Sequence, residues 1–180
     1  KKNNPQTLMG IANMYMFKKD YKNAVDFYVK AAKKDKNNTT ALINASLCYK
    51  MLDMTDKSVE YANKVLAKEN LSADIYYTAS KIDEIKNIQY LKKAVSLDPM
   101  MTDAWLDLTD IAIKNNRLEL ARTYLKPVKY VNSKDHRYYY LAGLIQKQQG
   151  NKEAAQSNFK KSLEINPFFV EASKELSSQL

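Results

Sequence analysis

Residues 136–167 read HRYYYLAGLIQKQQGNKEAAQSNFKKSLEINP, and this stretch predicts two amphipathic helices packed against each other. Gly143 in the first helix and Ala155 in the second are small enough to let the helices cross closely. Phe159 is large enough to help fill the wedge between this helix pair and its neighbours. Pro167 closes the stretch because proline cannot continue a helix.

The same arrangement recurs along the chain at a nearly constant interval. The small residue early in each second helix is, in order, Ala24, Ser58, Asn87, Ala121 and Ala155. The corresponding unit starts, at residues 5, 39, 73, 102 and 136, are 34, 34, 29 and 34 residues apart. A repeat that cannot bury its own apolar face must stack on its neighbours, so we expect a continuous helical array.

This pattern resembles the tetratricopeptide repeat (TPR), which carries large, Leu-Gly-like and Tyr-like positions in its first helix and Ala, aromatic, Ala and Pro positions in its second. The fourth unit supplies Trp105, Leu108, Thr109 and Ala121, after the closing Leu97-Asp98-Pro99 of the third. The first unit supplies Leu8, Ala12, Tyr15, Ala24 and Tyr28. The resemblance implies an all-α, right-handed α-solenoid of about five helix-turn-helix units plus a C-terminal capping helix. It predicts a single array over residues 1–180.

Three places depart from the pattern. The third unit, which starts at residue 73, is five residues short, so we expect abbreviated helices or an abbreviated turn. Pro127 lies inside the second helix of the fourth unit, where proline costs about 3 kcal/mol, and it predicts a kink or an early end near residues 124–126. Residues 168–180 form either a terminal cap or the start of a truncated sixth unit, and we favour the cap.

Composition favours long helices and limits the chemistry. The chain has three Gly, four Pro and a net charge of +9 that is spread over both halves. No apolar run is long enough to span a membrane. The start at Lys1, without methionine, indicates a piece of a longer protein. The single Cys48 excludes an internal disulfide; a cytoplasmic location is favoured, and a periplasmic or membrane-anchored parent chain stays open.

The residues that enzymes need are missing from this pattern. Cys48 and His136 are the only residues of their kinds and belong to different units. A half-buried structural thiol and an exposed helix-end imidazole are the better interpretations of the two. No phosphate-binding glycine loop, metal-ligand cluster or nucleophile motif occurs. We therefore predict no enzymatic activity, no metal and no cofactor.

The family resemblance implies that first-helix positions line a concave groove that binds a partner. Carried over by alignment, the predicted partner-binding residues are Met9, Asn13, Met16, Phe17, Ile43, Asn44, Leu47, Lys50, Met51, Tyr77, Lys81, Leu106, Ile113, Tyr140 and Leu144. The apolar and thioether side chains among them suit an amphipathic helix or an extended apolar segment. The cations at 50, 81, 114, 137 and 147 would rim this groove and favour acidic flanks on the partner.

One family subclass grips the acidic C-terminus of chaperones with a clamp of Lys, Arg and Asn. Asn13 and Asn44 occupy its two Asn positions, but Met9 stands in place of the first Lys. Asp74 and Thr78 fall near the positions of the third-unit cations. The clamp therefore lacks its charges, and this interpretation is rejected.

The predicted function is that of a non-enzymatic scaffold or adaptor for complex assembly, which binds a protein or peptide. Two alternatives stay open. Nucleic-acid binding is suggested by the net charge and 13 Tyr, although several of these Tyr fall on core positions of the repeat. Self-association into a homo-oligomer would use the groove or an end helix of one copy to receive another.

Overall fold

The computed structural model describes residues 4–178, and this part of the chain contains eleven α-helices and no strand. The chain divides into two compact units, the first ending at Leu97 and the second starting at Asp98. The helices of unit 1 are α1 Pro5–Phe17, α2 Tyr21–Lys34, α3 Thr39–Met51, α4 Thr55–Leu66, α5 Ala73–Ile82 and α6 Asn87–Leu97. Those of unit 2 are α7 Thr102–Lys114, α8 Leu118–Val131, α9 His136–Gln148, α10 Lys152–Ile165 and α11 Val170–Ser177.

The all-α repeat class predicted from the sequence is confirmed. Helices α1, α3, α5, α7 and α9 begin at residues 5, 39, 73, 102 and 136, where the repeat units were predicted to start. Each packs against the helix that follows it, which makes helix pairs the building block of a helical-repeat solenoid. No helix in residues 4–178 combines the length and apolar character that crossing a membrane requires.

Small residues are buried where the two helices of a repeat meet. On the first helices they are Ala12, Ser46, Ser80, Thr109 and Gly143, and on the second helices Ala24, Ser58, Ala121 and Ala155. Ser46 and Ser58 exchange hydrogen bonds, since each hydroxyl donates to the other's carbonyl oxygen at 2.6 and 3.0 Å. A buried hydroxyl without a partner would be costly, so this exchange lets the second repeat use serine in place of alanine.

The turns inside four of the repeats share one geometry. Their central residues have positive φ angles and are Lys19, Asp53, Asn116 and Gly150. In the first turn, Lys19 N donates to Met16 O and Asp20 N donates to Tyr15 O, which is the Schellman pattern that ends a helix. The equivalent pairs of bonds occur in the other three turns. A common turn explains why the repeat length stays at 34 residues.

The third repeat is built differently, and its shortening falls in its helices. Helix α5 has 10 residues and α6 has 11, against 13 and 14 in the first repeat. Its turn, residues 83–86, has no residue with positive φ. Instead, the carboxylate of Asp83 accepts hydrogen bonds from the backbone N–H groups of Ile85 and Lys86. A side chain here replaces the backbone bonds that end the other first helices.

Of the kink or early end predicted near residues 124–126, the early end is wrong, because α8 continues to Val131, and the kink stays a prediction. Leu125 and Val128 are buried on either side of the proline, in a cluster that includes Ala121 and Leu141. Burial of this apolar face outweighs the lost backbone hydrogen bond, as tertiary packing commonly outweighs local helix preference.

Helix α11 occupies the middle of the segment predicted as a cap. It begins at Val170, and Ala172 is fully buried against the preceding helix. Residues 179 and 180, the last two of the predicted 168–180 segment, lie outside the described residues. Whether α11 is a cap or the first helix of a further repeat stays a prediction.

Gly143 provides a test of the helix crossing. A Cβ atom at this position would lie 2.5 Å from Cε1 of the fully buried Phe159, whereas a Cβ at Gly10 in α1 would meet nothing within 4 Å. We expect Gly143→Ala to lower the free energy of unfolding by about 1–3 kcal/mol through overpacking. Gly10→Ala should instead raise it by up to about 1 kcal/mol through helix propensity. Urea denaturation of both variants measures the difference, and equal effects would contradict the close crossing.

Candidate functional site

The predicted groove residues of unit 1 separate into a core group and an exposed group. Ile43 is buried, and Met9 and Met16 pack onto the core. Phe17 is 90% exposed and Met51 49% exposed, and they are the last residues of α1 and α3. The exposed side chains are available to a partner, whereas the buried ones hold the helices together.

Two asparagines on these helices surround one buried phenol. Tyr28 Oη donates to Asn13 Oδ1 at 2.6 Å. Burial raises the pKa of Tyr28 to about 12, with the nearby Cys48 adding to the rise and a hydrogen bond from Asn44 opposing it. The Tyr28 hydroxyl therefore holds Asn13 of its own repeat and Asn44 of the next.

Along α3, three predicted residues share a face. Asn44, Leu47 and Met51 are separated by three and four residues, which places them above one another on the helix. Leu47 and Asn44 are half-buried. Asn13 and Phe17 have the same four-residue separation on α1. We name Asn13, Phe17, Asn44, Leu47 and Met51 the Phe17 surface.

The cations expected to rim the groove all have partners within their own unit. Lys50 Nζ lies 3.0 Å from both Ile82 O and Glu84 Oε1. Lys81 lies over the ring of Tyr77, 4.7 Å from its centroid. The other pairs are Lys114 with Asp110, Arg137 with Asp103 and Asp135, and Lys147 with Glu175. These contacts, most of them with carboxylates, reduce the positive charge that this face could offer to an acidic partner.

Arg137 and Asp135 form the most buried of these ion pairs. Burial alone would raise the pKa of Asp135, but hydrogen bonds from Arg137 outweigh it and hold that pKa below its ordinary value. Asp135 also accepts from the backbone N–H of Arg137 at 2.9 Å, so it caps α9. This pair is therefore part of the structure of the fifth repeat.

The predicted residues of unit 2 serve mainly in packing. Leu106 and Ile113 are buried in the core, so they are not accessible to a partner in this structure. Tyr140 and Leu144 pack against the same core. The Tyr140 ring also meets Phe169 edge-on, with centroids 5.1 Å apart. Burial, followed by the nearby carboxylates of Glu175, Asp110 and Glu171, raises the pKa of Tyr140.

Sequence reasoning missed several exposed apolar side chains outside the first-helix positions. Ile85 is 94%, Phe168 90% and Tyr130 77% exposed. Ile85 lies in the irregular turn of the short repeat, and Phe168 follows the closing Pro167. Their residue types gave no signal, since only the tertiary structure decides which apolar residues remain uncovered.

Cys48 and His136, the two residues considered for catalysis, both pack against neighbouring side chains. Cys48 is fully buried, its Sγ lies 3.6 Å from Met16 Sδ, and burial raises its pKa to about 12. His136 packs edge-on against Phe169 with centroids 4.7 Å apart. In residues 4–178 no group of three or more His, Cys, Asp or Glu side chains could hold a metal ion.

Sequence comparison defines the class of protein. Patterns of the tetratricopeptide repeat match residues 88–145 and, in a second form, residues 5–38 and 136–169. Together these matches cover more than half of the chain. The chain therefore belongs to the tetratricopeptide-repeat family.

Two curated relatives are much longer than this chain. It is 32% identical over 164 residues to a TPR repeat-containing protein of Methanocaldococcus jannaschii, which covers 87% of the chain and 28% of that protein. It is 22% identical over 189 residues to a protein O-mannosyl-transferase of Homo sapiens, which covers 92% of the chain and 20% of that protein. The chain thus spans less than a third of either relative.

Among solved structures, the chain is similar to YrrB, which is described as a TPR protein with an unusual peptide-binding site. The TM-score is 0.66 at 21% identity, covering 100% of this chain and 94% of that one. At this level of identity the similarity shows the shared fold alone.

The burial of Cys48 predicts an unreactive thiol. Because thiolate is the reactive form and burial both blocks access and raises the pKa to about 12, the folded protein should react with an aromatic disulfide reagent at pH 8 at least about a hundredfold more slowly than the urea-unfolded protein. Rapid labelling of the folded protein would contradict the buried position.

The same burial should make the free energy of unfolding depend on pH. Because the folded state favours the protonated thiol, the stabilisation from Cys48 should be present below about pH 9 and lost as pH rises towards 12. Urea titrations at pH 8 and pH 10 measure this loss, and the Cys48→Ala variant should lack it.

Proposed function

We propose that this chain is a non-enzymatic protein-interaction module and that the Phe17 surface of unit 1 binds an apolar segment of a partner, either an amphipathic helix or an extended strand. The observation that carries the proposal is the exposure of Phe17 at 90% and Met51 at 49%, while Met9, Met16 and Ile43 are used in packing. Exposed aromatic and thioether side chains are typical anchors of protein interfaces.

The polar groups of the same surface support a peptide ligand. Asn13 and Asn44 are positioned by the Tyr28 hydroxyl, so a ligand that hydrogen-bonds to them costs little side-chain order. An asparagine amide can both donate to and accept from a peptide backbone. Tyr77 and Lys81, one turn apart on α5, extend the predicted contact area within unit 1.

The other predicted partner-binding residues contribute less to the proposed binding surface. Lys50 pairs with Glu84, which reduces its attraction for an acidic partner. Ile43, Leu106 and Ile113 are core residues, and Tyr140 and Leu144 belong to unit 2. Family membership and the similarity to a peptide-binding TPR protein are consistent with a scaffold role.

The test compares two double variants that change charge equally. Phe17→Glu, Met51→Glu alters the Phe17 surface, and Ile85→Glu, Phe168→Glu alters side chains elsewhere that are at least as exposed. Polypeptides captured from the source cell by the parent chain and the control, but reduced about tenfold or more with the Phe17 surface variant, would support the proposal. Circular dichroism checks that both variants stay folded.

Three results would contradict the proposal. Equal capture by both variants would place recognition on another surface. Capture of mainly nucleic acid would favour the basic alternative. A mass that rises with concentration and falls in the Phe17 surface variant would favour self-association.

A further inference from the structure

A second surface lies in unit 2, between the two helices that join the fourth and fifth repeats. Helices α8 and α9 border a cavity of about 370 Å³. Arg122, Lys126 and Lys129 follow one another at intervals of four and three residues along α8. They therefore line one wall of the cavity. We name this cavity the α8–α9 groove.

Every charged side chain that lines the α8–α9 groove is a cation. Residues 98–180 carry twelve Lys and Arg and ten acids, so cations and acids are nearly balanced over this half of the chain. Three of those cations and none of the acids line the groove. The positive charge here is a local concentration and does not follow from the composition of the unit.

Two of the three cations have no partner in the part of the chain that the structure describes. Arg122 donates to the Gln149 side chain and lies 3.8 Å from Glu119. No hydrogen bond or ion pair engages the side chains of Lys126 and Lys129, which are exposed. The first-helix cations, in contrast, each meet an anion or a ring. Lys126 and Lys129 are thus available to an external anion.

The other residues that line the groove are mostly apolar. Leu125 and Ile145 are buried there, whereas Ala142, Gln146 and the rings of Tyr130 and Tyr138 are at least partly accessible. Tyr130 is 77% exposed and its hydroxyl can donate a hydrogen bond. A ligand that fits both walls needs negative charge on one side and an aliphatic side chain on the other.

The α8–α9 groove is distinct from the first-helix surface of the same unit. Tyr138 and Ala142 line the groove, whereas Tyr140 and Leu144 belong to the predicted partner-binding face. Residues two apart on an α-helix point in directions about 200° apart. The two surfaces therefore lie on opposite sides of α9.

We propose that the α8–α9 groove binds a short acidic peptide segment of a partner protein, with carboxylates against Lys126 and Lys129 and an aliphatic side chain against Ala142 and the ring of Tyr130. The stretch from Arg122 to Lys129 spans about 10 Å along the helix axis. Three or four extended residues cover this length at about 3.3 Å each. A peptide can place an aliphatic side chain against Ala142 beside its carboxylates, whereas a nucleic acid carries no aliphatic side chain.

This inference goes beyond the proposed function, because it concerns a different unit and different residues. The probe is a labelled synthetic peptide in which one leucine is flanked by pairs of glutamates, followed by fluorescence anisotropy at low ionic strength. Lys126→Glu, Lys129→Glu should weaken binding by at least about tenfold. Lys152→Glu, Lys160→Glu on α10 changes the net charge equally at exposed positions, and it should weaken binding by at most about twofold.

Controls keep the test independent of folding. Lys129 lies in the last turn of α8, where a cation also stabilises the helix, so the melting temperature of each variant is measured with its affinity. If charge reversal unfolds the chain, Lys126→Gln, Lys129→Gln replaces it and should still weaken binding by several-fold.

Four outcomes would overturn the proposal. They are the absence of saturable peptide binding, an equal loss in the α8 and α10 variants, equal binding of a peptide with glutamines in place of its glutamates, and displacement of the peptide by a thymidine oligonucleotide at a lower concentration than by unlabelled peptide. None of them bears on the Phe17 surface, which retains all of its side chains in these variants.

Discussion

The close contact between the two helices of each repeat is the constraint on which the rest of this structure depends. A helix pair can bury its apolar faces only if backbones approach where they cross, and a side chain larger than alanine, serine or threonine would hold them apart. Gly143 shows how close this approach is, since the ring of Phe159 occupies the space that a Cβ atom would need. In the second repeat, Ser46 and Ser58 meet the same constraint through reciprocal hydrogen bonds.

This crossing decides which side chains are free for function. Once one face of a first helix is buried against its partner, the residues between the buried positions either pack against the next repeat or face solvent. Met16 packs against Cys48, whereas Phe17, the next residue, is almost fully exposed. Binding capacity in this chain is therefore a product of helix packing, and the candidate surfaces are formed by residues that the core did not use.

The short third repeat and the proline in the fourth illustrate two ways of tolerating irregular sequence. In the third repeat, the helices are shortened and the Asp83 carboxylate forms the turn in place of the backbone bonds used elsewhere. In α8, buried Leu125 and Val128 keep the helix continuous past Pro127. In both places, burial of the apolar face was maintained and local backbone preference gave way.

The sequence by itself determined the helical class, the residues at which the first helices begin and the small contact residues of four repeats, because 34-residue periodicity and the alternation of small and large residues are local properties of the chain. Only the tertiary structure decided the state of each candidate binding residue. Ile43, Leu106 and Ile113 occupy predicted groove positions but are buried, since accessibility depends on neighbouring helices and not on residue type. The same holds for charge: Lys50 reaches Glu84 across 34 residues of sequence, while Lys126 and Lys129 line the α8–α9 groove and have no partner within residues 4–178. Such contacts join residues that are far apart in the sequence, so the repeat periodicity does not reveal them. They decide which candidate surfaces are accessible to a partner.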